Sequence, residues 1–181
     1  MNKIIDVETI ANKHKEKLAK IKICLFDVDG ILTDGRLFWA SEEVGFNRFF
    51  HTHDGYGLKI LMQAGLKVGI ITGGDSLGVQ KRFEGLGVDF MYMGSEDKRS
   101  AFEDILQKTN LKPEQALYMG DEFFDLPILK RAGFSATVPN ASLEIRESVD
   151  YVTARESGNA CVREVIDLLR FVQNIVPKIE Y

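Results

Sequence analysis

The chain alternates short apolar runs with longer amphipathic stretches. The first clear run, Ile21 to Phe26, has no polar alternation after Lys22, as in a strand buried on both faces. Similar runs follow at Lys67 to Ile71, Asp89 to Tyr92, Ala116 to Met119, Phe134 to Val138 and, more briefly, Asp150 to Val152. Between them apolar positions recur at helical spacing near 55–64, 76–85, 98–109, 123–131 and 141–147. The last stretch, from about Asn159 to Asn174, sets Val162, Val165, Ile166, Leu169 and Val172 three or four apart, so one helix face is apolar. Strand and helix repeated in this order predict an α/β fold, a doubly wound parallel sheet of Rossmann-like type with helices on both faces.

Two segments break the alternation. Residues 1–20 mix charged and apolar positions and predict a solvated helical extension leading into the sheet. From Arg36 to Phe50, Leu37, Phe38 and Trp39 face Phe46, Phe49 and Phe50 across a turn-like Ser41-Glu42-Glu43-Val44-Gly45, which predicts a β-hairpin inserted after the first strand. So many aromatic residues suit either a cover over the core or a contact between subunits. With no internal repeat or low-complexity tract, the expected organisation is one catalytic domain over 21–174, preceded by the extension and followed by a tail at 175–181.

Composition limits the partners. At 181 residues a single core can bury roughly 70% of the unfolded chain's surface, so no disulfide is needed, and the two isolated thiols, Cys24 and Cys161, suit a reducing compartment. The net charge of -4, from 23 Lys+Arg against 27 Asp+Glu, offers no basic field for nucleic acid or an anionic membrane. No run approaches the roughly 20 apolar residues of a membrane span, and the N-terminus lacks the apolar segment of a secretion signal. A cytoplasmic location is the expectation.

The chemistry gathers at the strand ends. Asp27-Val28-Asp29-Gly30 follows the first strand directly, and strand periodicity lets Asp27 and Asp29 converge beyond its carboxyl end, where open α/β sheets bind ligands. Two carboxylates there repel unless a cation joins them, and Mg²⁺ would do so while also accepting phosphate oxygens. Later strand ends add Thr72-Gly73-Gly74, then Lys98 near a helix start, then Gly120-Asp121 with Asp125 four residues on. His51 and His53 occupy alternate positions, but no third metal ligand is adjacent, so they are expected to face substrate or a subunit interface.

On these residues the chain resembles the haloacid dehalogenase superfamily of phosphotransferases, whose four motifs match, in order, Asp27-Val28-Asp29-Gly30, Thr72, Lys98 and Gly120-Asp121-Glu122-Phe123-Phe124-Asp125. The resemblance implies Asp27 as the nucleophile that forms an aspartyl phosphate, and Asp29 as the acid for the leaving oxygen and the base for water. It implies Thr72, the Gly73 N–H and Lys98 at the phosphoryl group, Mg²⁺ held by Asp27, Asp29 through its main-chain carbonyl and Asp121, and Asp125 in a supporting place behind them. The gaps between motifs leave no room for the separate cap domain of larger members.

Within the superfamily the chain resembles the sugar-acid phosphate phosphatases, on Asp29 to Gly35, Asp54-Gly55-Tyr56-Gly57, Asp97-Lys98 and Gly158 to Glu164. That implies a phosphorylated 2-keto-3-deoxy sugar acid as substrate, foremost 3-deoxy-D-manno-octulosonate 8-phosphate with a nine-carbon acid as the alternative. It also implies a homotetramer built through the hairpins. Asp34, His53, Asp54 and Arg163 are the candidate substrate contacts. Two departures bear on the substrate: Gly74 and His53 stand where the octulosonate enzymes usually carry Arg, and Ser157-Gly158-Asn159-Ala160 replaces a glycine-rich element. A non-catalytic assembly module is the reading from a different class, and the intact Asp27, Asp29, Lys98 and Asp121 argue against it.

Overall fold

The structure, a computed structural model, describes residues 5–179. Residues 1–4 of the expected extension and 180–181 of the expected tail lie outside the described residues.

Two short helices, α1 (Val7–Lys13) and α2 (Lys15–Leu18), lead into strand β1 (Ile23–Phe26). The hairpin is β2 (Phe38–Ser41) and β3 (Gly45–Asn47), an antiparallel pair outside the main sheet. Helix α3 (Thr52–Gln63), β4 (Lys67–Ile71), α4 (Leu77–Leu86), β5 (Phe90–Tyr92) and α5 (Lys98–Thr109) follow. The chain then runs through β6 (Ala116–Met119), α6 (Leu126–Leu129), β7 (Phe134–Thr137), α7 (Leu143–Arg146), β8 (Tyr151–Val152) and α8 (Cys161–Gln173).

The main sheet has six strands in the order β5-β4-β1-β6-β7-β8, and every described pairing within it is parallel. All residues of β1 and β6 are buried, which is why both read as unbroken apolar runs. The strand order reverses at β1, whose two neighbours are β4 and β6, so a crevice opens at the carboxyl ends of β1 and β6. Asp27 and Gly120-Asp121 come immediately after those two strands.

Three elements differ from the sequence reading. The N-terminal helices are docked as well as solvated: Ala11 and Leu18 are buried, and Gln173 at the end of α8 donates to the carbonyls of Leu18 (2.8 Å) and Ile21 (2.9 Å). A break at His14 divides them, so Ala11 and Leu18 meet α8 from separate helices. The stretch read as one helix over 123–131 is a single tight turn, Phe123–Asp125, followed by α6. Asp125 faces inward there, fully buried, and Pro127 falls in the first turn of α6, where its missing N–H costs nothing.

Helix α8 packs its apolar face on α1 and α3, and its Glu164 is buried against the Tyr151 hydroxyl and the Ala154 and Arg155 N–H groups. The hairpin turns most of its aromatic residues outward. Trp39 and Phe46 are each 54% exposed and meet edge to face, while Phe38 stacks on Phe49, which is 71% exposed. Only Phe50 joins the core, edge-on to Phe83. No described helix is long and apolar enough to cross a membrane.

Candidate active site

The loop after β1 shapes the site. Asp27 leaves the strand extended and its Oδ1 accepts the Val28 N–H at 2.6 Å. Asp29 is also extended, and the chain then reverses at Gly30, whose φ of 91° lies in the left-handed region. A second reason demands glycine here: a Cβ at residue 30 would lie 2.0 Å from Asp121 Oδ2. The motif glycine thus lets the β1 loop and the Asp121 carboxylate come together.

Asp27, Asp121 and Asp125 form one cluster, each offering an oxygen within 4.8 Å of the others. One cation serves it directly. Lys98, only 1% exposed, places Nζ 2.8 Å from Asp27 Oδ1 and 2.8 Å from Asp125 Oδ1, with the Phe124 ring centroid 4.4 Å away. Asp97 caps the start of α5, which aims the lysine into the crevice.

Asp125 has both oxygens engaged. Oδ1 accepts from Lys98 and from the Tyr118 hydroxyl (2.6 Å), and Oδ2 accepts the N–H groups of Asp121 and Glu122, both at 3.1 Å. It therefore holds the β6 loop and the lysine rather than facing outward. Asp121 differs: its Oδ1 is buried with no hydrogen-bond partner among the described residues.

The electrostatics say the cluster is short of positive charge. Burial, and then the neighbouring Asp125 carboxylate, push the Asp27 carboxyl well above its ordinary value, against the pull of Lys98. Burial, with Asp125 and Glu122 beside it, pushes Asp121 up to about 7. With Asp125 occupied, the carboxylates of Asp27 and Asp121, the latter with its orphaned oxygen, offer oxygen donors that fit a hard divalent cation.

Thr72, at the end of β4 and 2% exposed, accepts the Gly74 N–H on Oγ1 at 3.1 Å, giving a tight turn. Gly73 lies within that turn, and a side chain there would first meet Glu96 Cγ at 3.5 Å. Asp29 is not part of the acidic cluster. Its two oxygens accept a forked pair of bonds from Arg48, Nε to Oδ1 at 2.6 Å and Nη2 to Oδ2 at 2.7 Å.

The candidate substrate contacts are scattered in their partners. Asp34 accepts the Arg36 N–H (3.0 Å) and Nε–H (2.7 Å) in a surface turn. The His53 and His51 rings meet edge to face at 4.9 Å, and His51 Nδ1 accepts the His53 N–H at the start of α3. Asp54 is buried, with Oδ1 accepting the Arg163 N–H at 2.7 Å and Oδ2 unpartnered, while the Arg163 guanidinium bonds Asp167. None of these four shares a hydrogen bond or ion pair with Asp27, Asp29 or Asp121 among the described residues.

Sequence reasoning missed two residues that touch the site. Tyr118 had a signal, since a tyrosine in a strand buried on both faces needs a partner for its hydroxyl, and Asp125 is that partner. Arg48 had none: it belongs to no motif, and its pairing with Asp29 spans 19 residues.

Comparison with known proteins agrees with this arrangement. A family model described as a haloacid dehalogenase-like hydrolase matches residues 57–133. The 3-deoxy-D-manno-octulosonate 8-phosphate phosphatase KdsC of Escherichia coli K12 is 36% identical over 159 residues, covering 87% of this chain and 83% of its own. KdsC of Haemophilus influenzae is 34% identical over 155 residues, with 86% of each chain covered. The Moraxella catarrhalis 3-deoxy-D-manno-octulosonate 8-phosphate phosphatase, whose crystal structure holds magnesium, phosphate and KDO, superimposes with a TM-score of 0.85 at 36% identity, covering 90% of this chain and 93% of that one. With the acidic crevice at the carboxyl ends of a doubly wound sheet, these likenesses place the chain in the haloacid dehalogenase-like hydrolases, within the KdsC family.

Proposed function

We propose that the protein is a Mg²⁺-dependent phosphatase that hydrolyses 3-deoxy-D-manno-octulosonate 8-phosphate through a phosphorylated Asp27. The observation that carries this reading is the buried trio Asp27, Asp121 and Asp125 with Lys98 bridging two of them, in a chain 36% identical to KdsC. Asp27, Asp121 and the main-chain carbonyl of Asp29 would hold the ion. Bound there, Mg²⁺ supplies the positive charge that lets an anionic phosphate approach an anionic nucleophile.

The remaining work falls to the chain's own side chains. An Asp27 oxygen bonds to phosphorus as the ester bond breaks, and Asp29 gives its proton to the departing alcohol oxygen. Asp29 then takes a proton from water as that water attacks the phosphorylated Asp27, which frees phosphate and restores the carboxylate. Thr72 and the Gly73 N–H hold phosphoryl oxygens, and Lys98 fixes the nucleophile between its two salt bridges. Asp125 acts from behind, through Lys98 and the Asp121 N–H.

Gly74 and His53 favour a second substrate, a nine-carbon 2-keto-3-deoxy acid phosphate, because the arginines usual in the octulosonate enzymes are missing at both positions. A panel of phosphorylated sugar acids compared by kcat/KM decides between them. The eight-carbon ester is expected to rank first. A nine-carbon ester in that place would change the substrate, and a neutral phosphosugar would remove the sugar-acid reading.

We also infer a homotetramer assembled through the hairpins, supported by the outward Trp39, Phe46 and Phe49. The two unpaired cysteines, both buried, support a location in the reducing cytoplasm.

A further inference from the structure

Arg48 is the charged residue beside the site that the family's motifs leave unexplained. It follows β3 at the foot of the hairpin and is 8% exposed, yet its guanidinium meets both oxygens of Asp29. A planar two-point fork of this kind fixes the orientation of a carboxylate as well as its position. The guanidinium is itself held, since Nη1 donates to the Phe46 carbonyl at 3.4 Å.

The far side of the pair is equally confined. A Cβ on Gly74 would lie 2.7 Å from Arg48 Nη2, 3.0 Å from Asp29 Oδ2 and 3.5 Å from Thr72 Oγ1. The ion pair therefore occupies the space that a side chain at residue 74 would need, against the turn that carries Thr72. The base of the hairpin is braced too, because Asn47 packs so closely on Gly78 in α4 that a Cβ there would meet its Oδ1 at 2.3 Å.

We infer that Arg48 is a positioning residue for the catalytic reaction: its fork takes one lone pair of each Asp29 oxygen, leaves the other for the proton the leaving oxygen takes, and so sets where the carboxyl group stands relative to Asp27 and Thr72. This rests on the reading of Asp29 as the acid that protonates the leaving oxygen. The chemistry gives the inference a signature. As the Asp27–phosphorus bond forms and the ester bond breaks, an alkoxide leaving group needs the Asp29 proton, whereas 4-nitrophenolate departs stably without one. Misplacing Asp29 should slow the sugar-acid ester and spare the aryl ester.

The test compares kcat/KM for octulosonate 8-phosphate and 4-nitrophenyl phosphate in the wild type, Asp29→Asn, Arg48→Met and Gly74→Ala, with Mg²⁺ present. This parameter reports the steps up to departure of the leaving group. Asp29→Asn and Arg48→Met are expected to lose about 10²-fold on the sugar-acid ester and within about 3-fold on the aryl ester. Gly74→Ala keeps every charge and displaces the fork, so a smaller loss with the same bias is expected, and it serves if Arg48→Met does not fold. Equal losses on both esters in Arg48→Met or Gly74→Ala, with Asp29→Asn biased, would make Arg48 a structural strap and overturn the inference. If Asp29→Asn itself shows no bias, the acid assignment fails and the inference falls with it.

Discussion

Asp121 has a buried oxygen with no partner and a carboxyl group pushed up to about 7, so a proton and a metal ion compete for it. Above about 7 the carboxylate is free for the metal. Below that, a proton must leave for the metal to enter, so Mg²⁺ affinity should fall by up to about tenfold per pH unit as the pH drops. Calorimetric titration of Mg²⁺ across that range checks this, and an affinity flat with pH would contradict it. Asp54 shows the same physics without the metal: burial pushes its carboxyl up to about 7, from an ordinary value of 3.8, against the opposing pull of the Arg163 N–H. Its proton is bound more tightly in the folded state than in the unfolded one. Stability from this residue is therefore greatest below the ordinary value, is lost as the pH rises through the window between 3.8 and about 7, and levels off above it. Asp54→Asn keeps an oxygen for the Arg163 N–H and removes the charge. Denaturant unfolding should find the variant more stable than wild type by about 4 kcal/mol at about pH 8, and nearly equal to it at about pH 4.

At the scale of elements, the hairpin is the piece whose outward aromatic face is left uncovered among the described residues. Replacing Trp39 and Phe46 by Ala removes one edge-to-face pair and leaves the Phe50–Phe83 contact alone. Solution mass is expected to fall below the tetramer value while the fold persists, and an unchanged mass would remove the hairpin from the interface. The same element shows where sequence reading reached its limit. The two strands and the intervening turn were legible because aromatic residues flank a polar turn, yet which of those residues pointed outward depended on packing that no local pattern encodes. The docking of α1 and α2 was hidden in a similar way. Lys13, Lys15, Glu16, Lys17 and Lys20 dominate the segment, and the helix that buries Ala11 and Leu18 lies some 150 residues further along. The central strands were legible throughout, since burial on both faces leaves an uninterrupted apolar run.

Across the whole molecule, the sheet's reversal of order at β1 converts four distant motifs into one crevice. Asp27, Asp121, Asp125 and Lys98 were recognisable because each follows a strand or opens a helix, so topology alone brings them together. Tyr118 and Arg48 reach the same place through side-chain contacts across the fold, which local spacing does not reveal. Turnover in that crevice depends on Asp27 acting as a nucleophile. The direct test is Mg²⁺-dependent release of phosphate from octulosonate 8-phosphate by the wild type and by Asp27→Asn. The substitution removes the attacking oxygen's charge and leaves a side chain of nearly the same shape. Steady release by the wild type and a loss of at least about 10³-fold in a variant that still folds is the expected result, and undiminished release by Asp27→Asn would contradict the account.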